Sequence, residues 1–396
     1  MADNTLFSTV SRISPAHISN QFVTATTTPF AGALVKGDKQ GIKIYSDLDS
    51  VAEDFDLYSS FWKKARAYFA ANNEGSSLLA LTFVPSDVKE GDPAGVQAVP
   101  TADGAKVTAA MGTGDATSLT ADAIGAVTAL KKYYFAGPQF WFLTEFDDEV
   151  AQAVSNFIEL QNTGIFILYA DDPTMLQKYP DNKRTMKLTL PKVDDTSADT
   201  QDEYNNVFDA AFVGAEYGRK PHSAIKYALG GLPYTQPQDR FDFTPDDQDE
   251  LDKDNIATYA YVFDNPRMTS SRMSADDVHL DTMLGSDWIQ NEANARVANL
   301  FVQNAEQGIP WSEVGFDAVV NVIRGAFIDA GDIDIIAPEV DADGNETGKP
   351  DYHVAYLKPS QLPKSYETKR QMHGITTTYH PMGMAEDVYI QNTIVR

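Results

Sequence analysis

The stretch LTADAIGAVTALKKYYFAGPQFWFLTEFDDEVAQAVSNFIELQNTGIFILY, residues 119–169, decides the fold class because helical and strand patterns alternate along it. It contains two short apolar runs, 140–144 and 165–169, with bulky side chains and turn residues at their ends. Such runs are typical of buried strands in a parallel sheet. A helical pattern precedes each run, so the stretch predicts the order helix, strand, helix, strand.

Both predicted helices have start signals and one apolar face. Leu119 and Ile124 can form a hydrophobic staple around Thr120. The acidic residues 147–149 place negative charge where the second helix begins, which the helix dipole favours. The predicted buried faces are Ile124, Val127, Leu130 and Tyr134 in the first helix, and Val150, Val154, Phe157 and Ile158 in the second.

The same alternation continues on both sides of this stretch. Further strands are predicted at 78–84, 186–190 and 256–263, and a further helix at 204–215. Strands that alternate with helices in this way indicate an α/β core with a mixed, largely parallel sheet flanked by helices and connected by right-handed crossovers.

Residues 285–331 predict a second helical region, a pair of helices joined at 308–312. Asp287 is the predicted N-cap of the first helix with Gln290 as its reciprocal partner, and Gly331 is the predicted left-handed C-cap of the second. The apolar stripes are Ile289, Ala293, Val297, Leu300 and Phe301, then Phe316, Val319, Val320, Ile323 and Phe327.

Two segments interrupt the α/β pattern. Residues 86–118 are rich in Ala, Gly, Thr and Asp and predict a surface insertion containing a hairpin around Asp103 and Gly104. Residues 239–254 hold eight acidic and two basic side chains and predict a solvated loop, with a divalent-cation site as the alternative.

Composition limits the classes of protein. A chain of 396 residues with 43% hydrophobic residues predicts two or three domains, and the lack of cysteine excludes disulfides and Cys-based sites. No apolar run approaches membrane-spanning length and no signal peptide is recognisable at the start, so no membrane insertion is expected. The net charge of −26 opposes direct binding to nucleic acid, and it requires complementary basic patches or salt if copies of the chain pack together.

The motifs of common enzymes are missing from the sequence. It has no Walker lysine, G-x-S-x-G elbow or H-E-x-x-H helix, and the glycines of 112–117 lack the third glycine of a dinucleotide-binding turn. Residues 341–345 fit a hairpin turn better than a calcium loop, and His222 and His380 have no partner nearby in sequence. We therefore predict no catalytic, cofactor or metal site. An α/β hydrolase, or a tube or baseplate subunit, stays open as the alternative.

Several blocks occur in the order typical of one protein family. They are GSDW at 285–288, IPW and VGF at 309–316, DAG at 329–331, TTPF with Gly32 at 27–32, IYSDL at 44–48, KKARAYF at 63–69, and Arg370 with Gly374. In this order they resemble contractile tail sheath proteins, particularly those of myophages that infect Gram-positive bacteria. The resemblance covers most of the chain outside 86–118 and 239–254.

The resemblance implies a domain plan. Residues 1–25 would be an N-terminal linker arm, 26–85 with 119–275 the α/β sheath domain or domains, 86–118 an inserted outer subdomain, 276–375 a C-terminal sheath domain, and 376–396 a C-terminal strand and linker arm. Arms that add strands to a neighbour's sheet would link the subunits. The apolar residues expected to make these contacts are Leu6, Val10 and Ile13 in one arm and Val388, Ile390 and Ile394 in the other.

The resemblance also implies the function. A sheath subunit polymerises helically, as stacked hexameric rings, around a tail tube and contracts to drive the tube through the host envelope for genome ejection. Its partners would be copies of itself, the tube protein, and baseplate and tail terminator proteins, without an enzymatic activity or cofactor. Its place would be the contractile tail of the virion, assembled in the host bacterial cytoplasm. The sheath of a phage-tail-like bacteriocin or contractile injection system is the alternative within this family.

Overall fold

The computed structural model describes residues 29–72, 75–86, 120–179, 181–191, 206–239, 243–262 and 264–385. The predicted hairpin around Asp103 and Gly104, the glycines of 112–117 and all six predicted arm residues lie outside these ranges: Leu6, Val10, Ile13, Val388, Ile390 and Ile394. The chain divides into two compact units, of which the first comprises Met1–Arg219 with Tyr227–Met283 and the second Lys220–Lys226 with Leu284–Arg396.

The first unit is built on a seven-stranded sheet. Its strands are β1 (Ala31–Lys36), β2 (Gly41–Tyr45), β3 (Leu78–Phe83), β4 (Phe140–Leu143), β5 (Ile165–Ala170), β6 (Thr185–Thr189) and β7 (Ile256–Ala257). They lie in the order β2-β3-β1-β4-β5-β6-β7, in which only β2 is antiparallel to its neighbour. The mixed, largely parallel sheet predicted from the sequence is thus confirmed.

Helices flank this sheet. They are α1 (Leu48–Ala52), α2 (Ser60–Ala71), α3 (Ala121–Tyr133), α4 (Asp148–Gln161), α5 (Phe208–Glu216) and α6 (Pro245–Lys253), and a hairpin of β8 (Tyr259–Val262) and β9 (Asn265–Met268) follows. Apolar residues of α3 and α4 form one core with Leu79, Leu81, Trp141 and Phe166 of the sheet. Because side chains alternate along a strand, Phe142 points to the opposite face, where the Lys64 ammonium group of α2 lies 5.7 Å from its ring.

The helix starts follow from the predicted signals. The Thr120 hydroxyl accepts a hydrogen bond from the Ala123 amide at the start of α3. The Asp147 carboxylate accepts one from the Val150 amide at 3.0 Å and so caps α4. These side chains satisfy amide groups that the first turn of a helix leaves without a partner.

The prediction of a solvated loop at 239–254 is wrong over most of its length, because residues 245–253 form α6. Thr244 and Asp247 make a capping box, since each side chain accepts from the other residue's backbone amide. Pro245 occupies the first turn and Leu251 is buried. A reciprocal cap and one apolar anchor therefore outweigh the mutual repulsion of the acidic side chains.

The second unit contains a helical pair and two small sheets. Its elements are α7 (Leu280–Gln303), whose first four residues belong to the first unit, α8 (Glu313–Asp332), β10 (Pro338–Val340), β11 (Glu346–Pro350), β12 (Tyr352–Tyr356), α9 (Lys364–Thr368) and β13 (Ile375–Tyr379). Strands β10 and β11 form one antiparallel pair, and β12 and β13 another. Phe316 and Phe327 of α8 stack against Tyr356 and Tyr352 of β12.

The helical pair differs from the prediction at both caps. Asp287 is not an N-cap, because α7 begins at Leu280 and the buried Leu280 and Met283 extend the helix toward its start. Gly331 lies inside α8, and the left-handed residue that follows the helix is Asp334, with φ 63°. A glycine is needed at 331 for another reason, since a Cβ atom there would lie 2.5 Å from Cβ of Pro350.

The apolar stripes of the pair agree with the structure in α8 and only partly in α7. Phe316, Val319, Val320, Ile323 and Phe327 are all buried. In α7, Ile289 and Val297 are buried, whereas Phe301 is 42% exposed.

Candidate functional site

The carboxyl ends of parallel strands are the usual place for a ligand in an α/β sheet, and a cleft of about 280 Å³ lies there in the first unit. The start of α2, the ends of β4 and β5 and the start of α5 surround it. Its lining includes Ser60, Lys64, Glu145, Tyr169 and Asp209. This is the position at which an α/β hydrolase would carry its catalytic residues.

A buried ion pair forms the floor of the cleft. The Lys64 ammonium group donates to the Asp209 carboxylate and to the Leu143 carbonyl oxygen, each at 2.6 Å. Both side chains are almost wholly buried, at 7% and 2% exposure. Burial raises the pKa of the Asp209 carboxyl, and the Lys64 charge opposes that rise. The pair joins α2, α5 and the end of β4, and it leaves neither group free as a base or nucleophile.

Three further polar side chains of the cleft are hydrogen-bonded within the protein. The Ser60 hydroxyl donates to Glu145 at 2.6 Å, and the Tyr169 hydroxyl donates to the Leu190 carbonyl oxygen at 3.2 Å. Burial raises the pKa of Tyr169, so this phenol stays protonated at neutral pH. No histidine is present among the residues that line the cleft.

Two histidines have partners that were not visible in the sequence. His380 lies 2.5 Å from the Asp351 carboxylate in the second unit, where its side chain is 77% exposed. In the first unit, Nδ1 of His279 lies 2.8 Å from the Ser271 hydroxyl. None of these residues lines the cleft. His279 forms an isolated β-bridge with Arg272, and His380 precedes Pro381, which forms another with Ile336. Neither pair therefore brings a base or a nucleophile into the cleft.

The described part of the chain contains neither a metal-binding cluster nor a membrane-spanning helix. No group of three or more acidic or histidine side chains is arranged there to hold a metal ion. None of the helices in the ranges given above is long and apolar enough to cross a bilayer.

Open strand edges are the remaining candidate for function. The sheet of β12 and β13 has two strands, so within the described residues each strand has one edge without a partner strand. One face of this sheet packs on α8, where the Phe327 ring lies 5.4 Å from Tyr352 and 5.8 Å from Tyr379. A sheet supported on one face with free edges can accept an added strand.

The Lys64–Asp209 pair is not predicted by the sequence pattern. The two residues are 145 positions apart, and pairing across such a distance follows only from the fold. One local signal exists, since each charged residue lies inside an apolar helical stripe, Lys64 between Phe61 and Tyr68 and Asp209 between Phe208 and Phe212. A charge at a buried position predicts a buried partner.

Comparison with known proteins identifies the class of fold. No protein-family profile and no curated protein matches the chain. Solved structures do match, and these belong to contractile sheath and baseplate assemblies, so the chain has a sheath-protein fold.

Three of these structures show how complete the similarity is. A chain of the anti-feeding prophage baseplate in its contracted state matches with a TM-score of 0.62 at 11% identity, covering 100% of this chain and 99% of that one. The contracted helical sheath of the same prophage matches with a TM-score of 0.58 at 12% identity, covering 98% of each chain. The sheath tail protein Lin1278 from Listeria innocua matches with a TM-score of 0.54 at 10% identity, covering 90% of this chain and 96% of that one.

Proposed function

We propose that this protein is a structural subunit of a contractile sheath, which polymerises helically around a tail tube and contracts to drive the tube through a host envelope. The observation that carries the proposal is the similarity to the contracted anti-feeding prophage sheath over 98% of both chains. A match over nearly the whole length includes both units and is not limited to a common α/β core.

The chemistry of the described residues agrees with a structural role. A buried ion pair forms the floor of the cleft at the sheet edge, and Ser60, Glu145 and Tyr169 are hydrogen-bonded within the protein. We infer that the protein is not an enzyme and needs no cofactor or metal ion. Contraction would instead exchange one packing of the polymer for another of lower free energy.

We propose that the terminal arms connect neighbouring subunits by strand addition. Val388, Ile390 and Ile394 lie at alternate positions, with Asn392 interrupting the row, so one face of a strand formed there would be mostly apolar. In the next subunit, the edge of β12 or β13 that has no partner strand among the described residues is a suitable acceptor. Leu6, Val10 and Ile13 would supply the apolar contacts of the other arm. Backbone hydrogen bonds of this kind hold subunits together while allowing them to rotate.

The proposed partners are copies of this chain in stacked hexameric rings, a tail tube protein, and baseplate and tail terminator proteins. The location is a contractile tail assembled in the cytoplasm of a bacterial host. A phage tail, a phage-tail-like bacteriocin and an injection device would all use the subunit in this way, and neighbouring genes would distinguish them.

Electron microscopy of the purified protein tests the proposal. We expect hollow striated tubes, and a chain that stays monomeric at all salt and protein concentrations and on an added tube would contradict the sheath function. Deletion of residues 387–396 should leave a folded monomer that forms no tubes. Normal tubes from this truncated chain would disprove the arm assignment.

Two full-length variants test whether assembly requires the apolar face of the arm strand as well as the length of the arm. Replacing Val388, Ile390 and Ile394 together by aspartate should abolish tubes, because the apolar face of the added strand would become charged. Replacing Gln391 and Thr393 by aspartate changes the other face and should have a much smaller effect.

A further inference from the structure

The connection between β12 and β13, residues 357–374, concentrates positive charge in a chain whose net charge is −26. We call it the basic segment. It contains one acidic residue, Glu367, and four basic residues, Lys358, Lys364, Lys369 and Arg370, all of them exposed.

Three of these basic side chains have no carboxylate partner among the described residues. Lys358 lies 3.3 Å from Glu313, whereas Lys364, Lys369 and Arg370 make no ion pair within the described ranges. Charges left unpaired in an acidic protein are available for a contact with another molecule.

The basic segment is held in a defined conformation. The Tyr366 and His373 rings stack with centroids 3.9 Å apart. The Leu357 amide donates to the Gly374 carbonyl oxygen at 2.9 Å and closes the base of the connection, and the Gln371 amide donates to the Tyr366 carbonyl oxygen. Because little conformational entropy remains to be lost, docking at this segment is favoured.

The opposite charge lies on α6 of the first unit. Asp246, Asp249 and Glu250 are exposed on this helix and have no cationic partner in the part of the chain that the structure describes. The capping box at Thr244 and the buried Leu251 keep the helix formed despite its charge.

We propose that the basic segment of one subunit docks on α6 of a second copy of the chain. This inference rests on the self-assembly proposed above and names the surfaces that make one contact. Two copies at −26 repel each other, so a stable contact is favoured where clustered positive charges of one copy meet an acidic surface of the other. The two surfaces belong to different parts of the chain, and contacts of this head-to-tail kind propagate into rings or helices.

Charge reversal on both surfaces tests the contact. The first variant is Lys364→Glu with Lys369→Glu, and the second is Asp249→Lys with Glu250→Lys. Each should raise the protein concentration needed for tube formation by about tenfold, because the reversal removes two exposed ion pairs and adds repulsion in their place. The control, Lys39→Glu with Lys131→Glu, changes the net charge as much as the first variant at other exposed sites and should have a much smaller effect.

The decisive sample is one chain that carries all four reversals. It has the net charge of the unmodified protein and complementary surfaces of swapped sign, so it should again form tubes at close to the original concentration. Circular dichroism and sedimentation of the monomers check that every variant is folded.

The outcomes separate this contact from the proposed function. If the unmodified protein forms no tubes under any condition, the sheath function itself fails. If it forms tubes and the first variant does so equally well, only the docking contact is disproved. If each pair of reversals blocks assembly but the fourfold variant does not recover, α6 is not the partner. If the first variant fails only on an added tube protein, the basic segment binds the tube instead and the inference is wrong.

Discussion

Among single residues, Glu216 has an unusual environment. It is the last residue of α5, is 5% exposed, and lies 3.4 Å from the Arg219 side chain. Burial raises the pKa of its carboxyl to about 7, and Arg219 only partly opposes the rise. A negative charge at the carboxyl end of a helix is also disfavoured by the helix dipole.

Glu216 therefore predicts a dependence of stability on pH. Since its pKa is higher in the folded than in the unfolded chain, the folded chain holds the proton more tightly, and the free energy of unfolding should fall as pH rises from about 4.5 through 7. The substitution Glu216→Gln removes this loss. The increase in the free energy of unfolding that it causes should be larger at pH 8 than at pH 5, by roughly 3 kcal/mol at most. Denaturant unfolding at the two pH values measures it. An equal effect of the substitution at both would show that the carboxyl titrates normally.

The Lys64–Asp209 pair shows the limit of prediction at this scale. The two charges could be recognised as out of place within apolar helical stripes, but not as partners, because 145 positions separate them and only the packing of α2 against α5 brings them together. The pair of Asp351 and His380 is alike in this respect, since the two residues are 29 positions apart.

At the scale of elements, α2 and α5 approach each other closely at one glycine. A Cβ atom on Gly214 of α5 would lie 2.4 Å from the Tyr68 carbonyl oxygen of α2 and 2.9 Å from the Ala71 side chain. The backbones can be this close only because position 214 has no side chain. The contact also sets the spacing at which Lys64 meets Asp209.

The substitution Gly214→Ala should consequently destabilise the protein. In an open helix this change would stabilise by about 1 kcal/mol, whereas here the overlap with a backbone oxygen must separate the helices, and we expect a loss of roughly 1–3 kcal/mol. Gly41→Ala is the control, since a Cβ atom there meets nothing within 4 Å. Thermal unfolding compares the two, and a Gly214→Ala protein as stable as the control would show that the helices can separate at little cost.

Elements with a strong apolar period were predicted well, whereas helices whose limits depend on a cap or on a few apolar residues were not. Strands β3 to β6 and the helices between them follow the sequence pattern closely, because buried runs and caps determine them locally. The acidic residues 245–253 were predicted as a loop, yet one reciprocal cap and Leu251 are enough to form α6. The start of α7 was misplaced because a cap-like Asp287 is outweighed by apolar residues that continue the helix before it.

At the scale of the whole molecule, net charge governs association. Each copy carries −26, and repulsion between copies extends over about 30 Å at 0.01 M salt but only about 10 Å at 0.1 M. Attraction between charges in direct contact is screened less over this range. Assembly should then improve from very low salt to about 0.1 M and weaken again when salt also screens the contacts.

Turbidity and sedimentation of the purified protein over this range check the salt dependence. The neutralising variant Asp38→Asn with Asp56→Asn, two exposed positions outside α6 and the basic segment, should shift the optimum toward lower salt, because it reduces repulsion. Assembly that falls steadily from the lowest salt onward would contradict the prediction and would mean that attraction between charges exceeds repulsion between copies at every distance.

The sequence by itself determined the class of fold, the lack of an enzyme motif and the order of blocks that resembles sheath proteins. These features depend on local periodicity and on residue types, and neither depends on contacts between residues that are distant in the chain. The tertiary structure alone decided which charges meet, which glycines allow close approach and which strand edges are open in the described residues. Such features depend on contacts between residues far apart in the chain, and the free energy of those contacts exists only once the elements are packed.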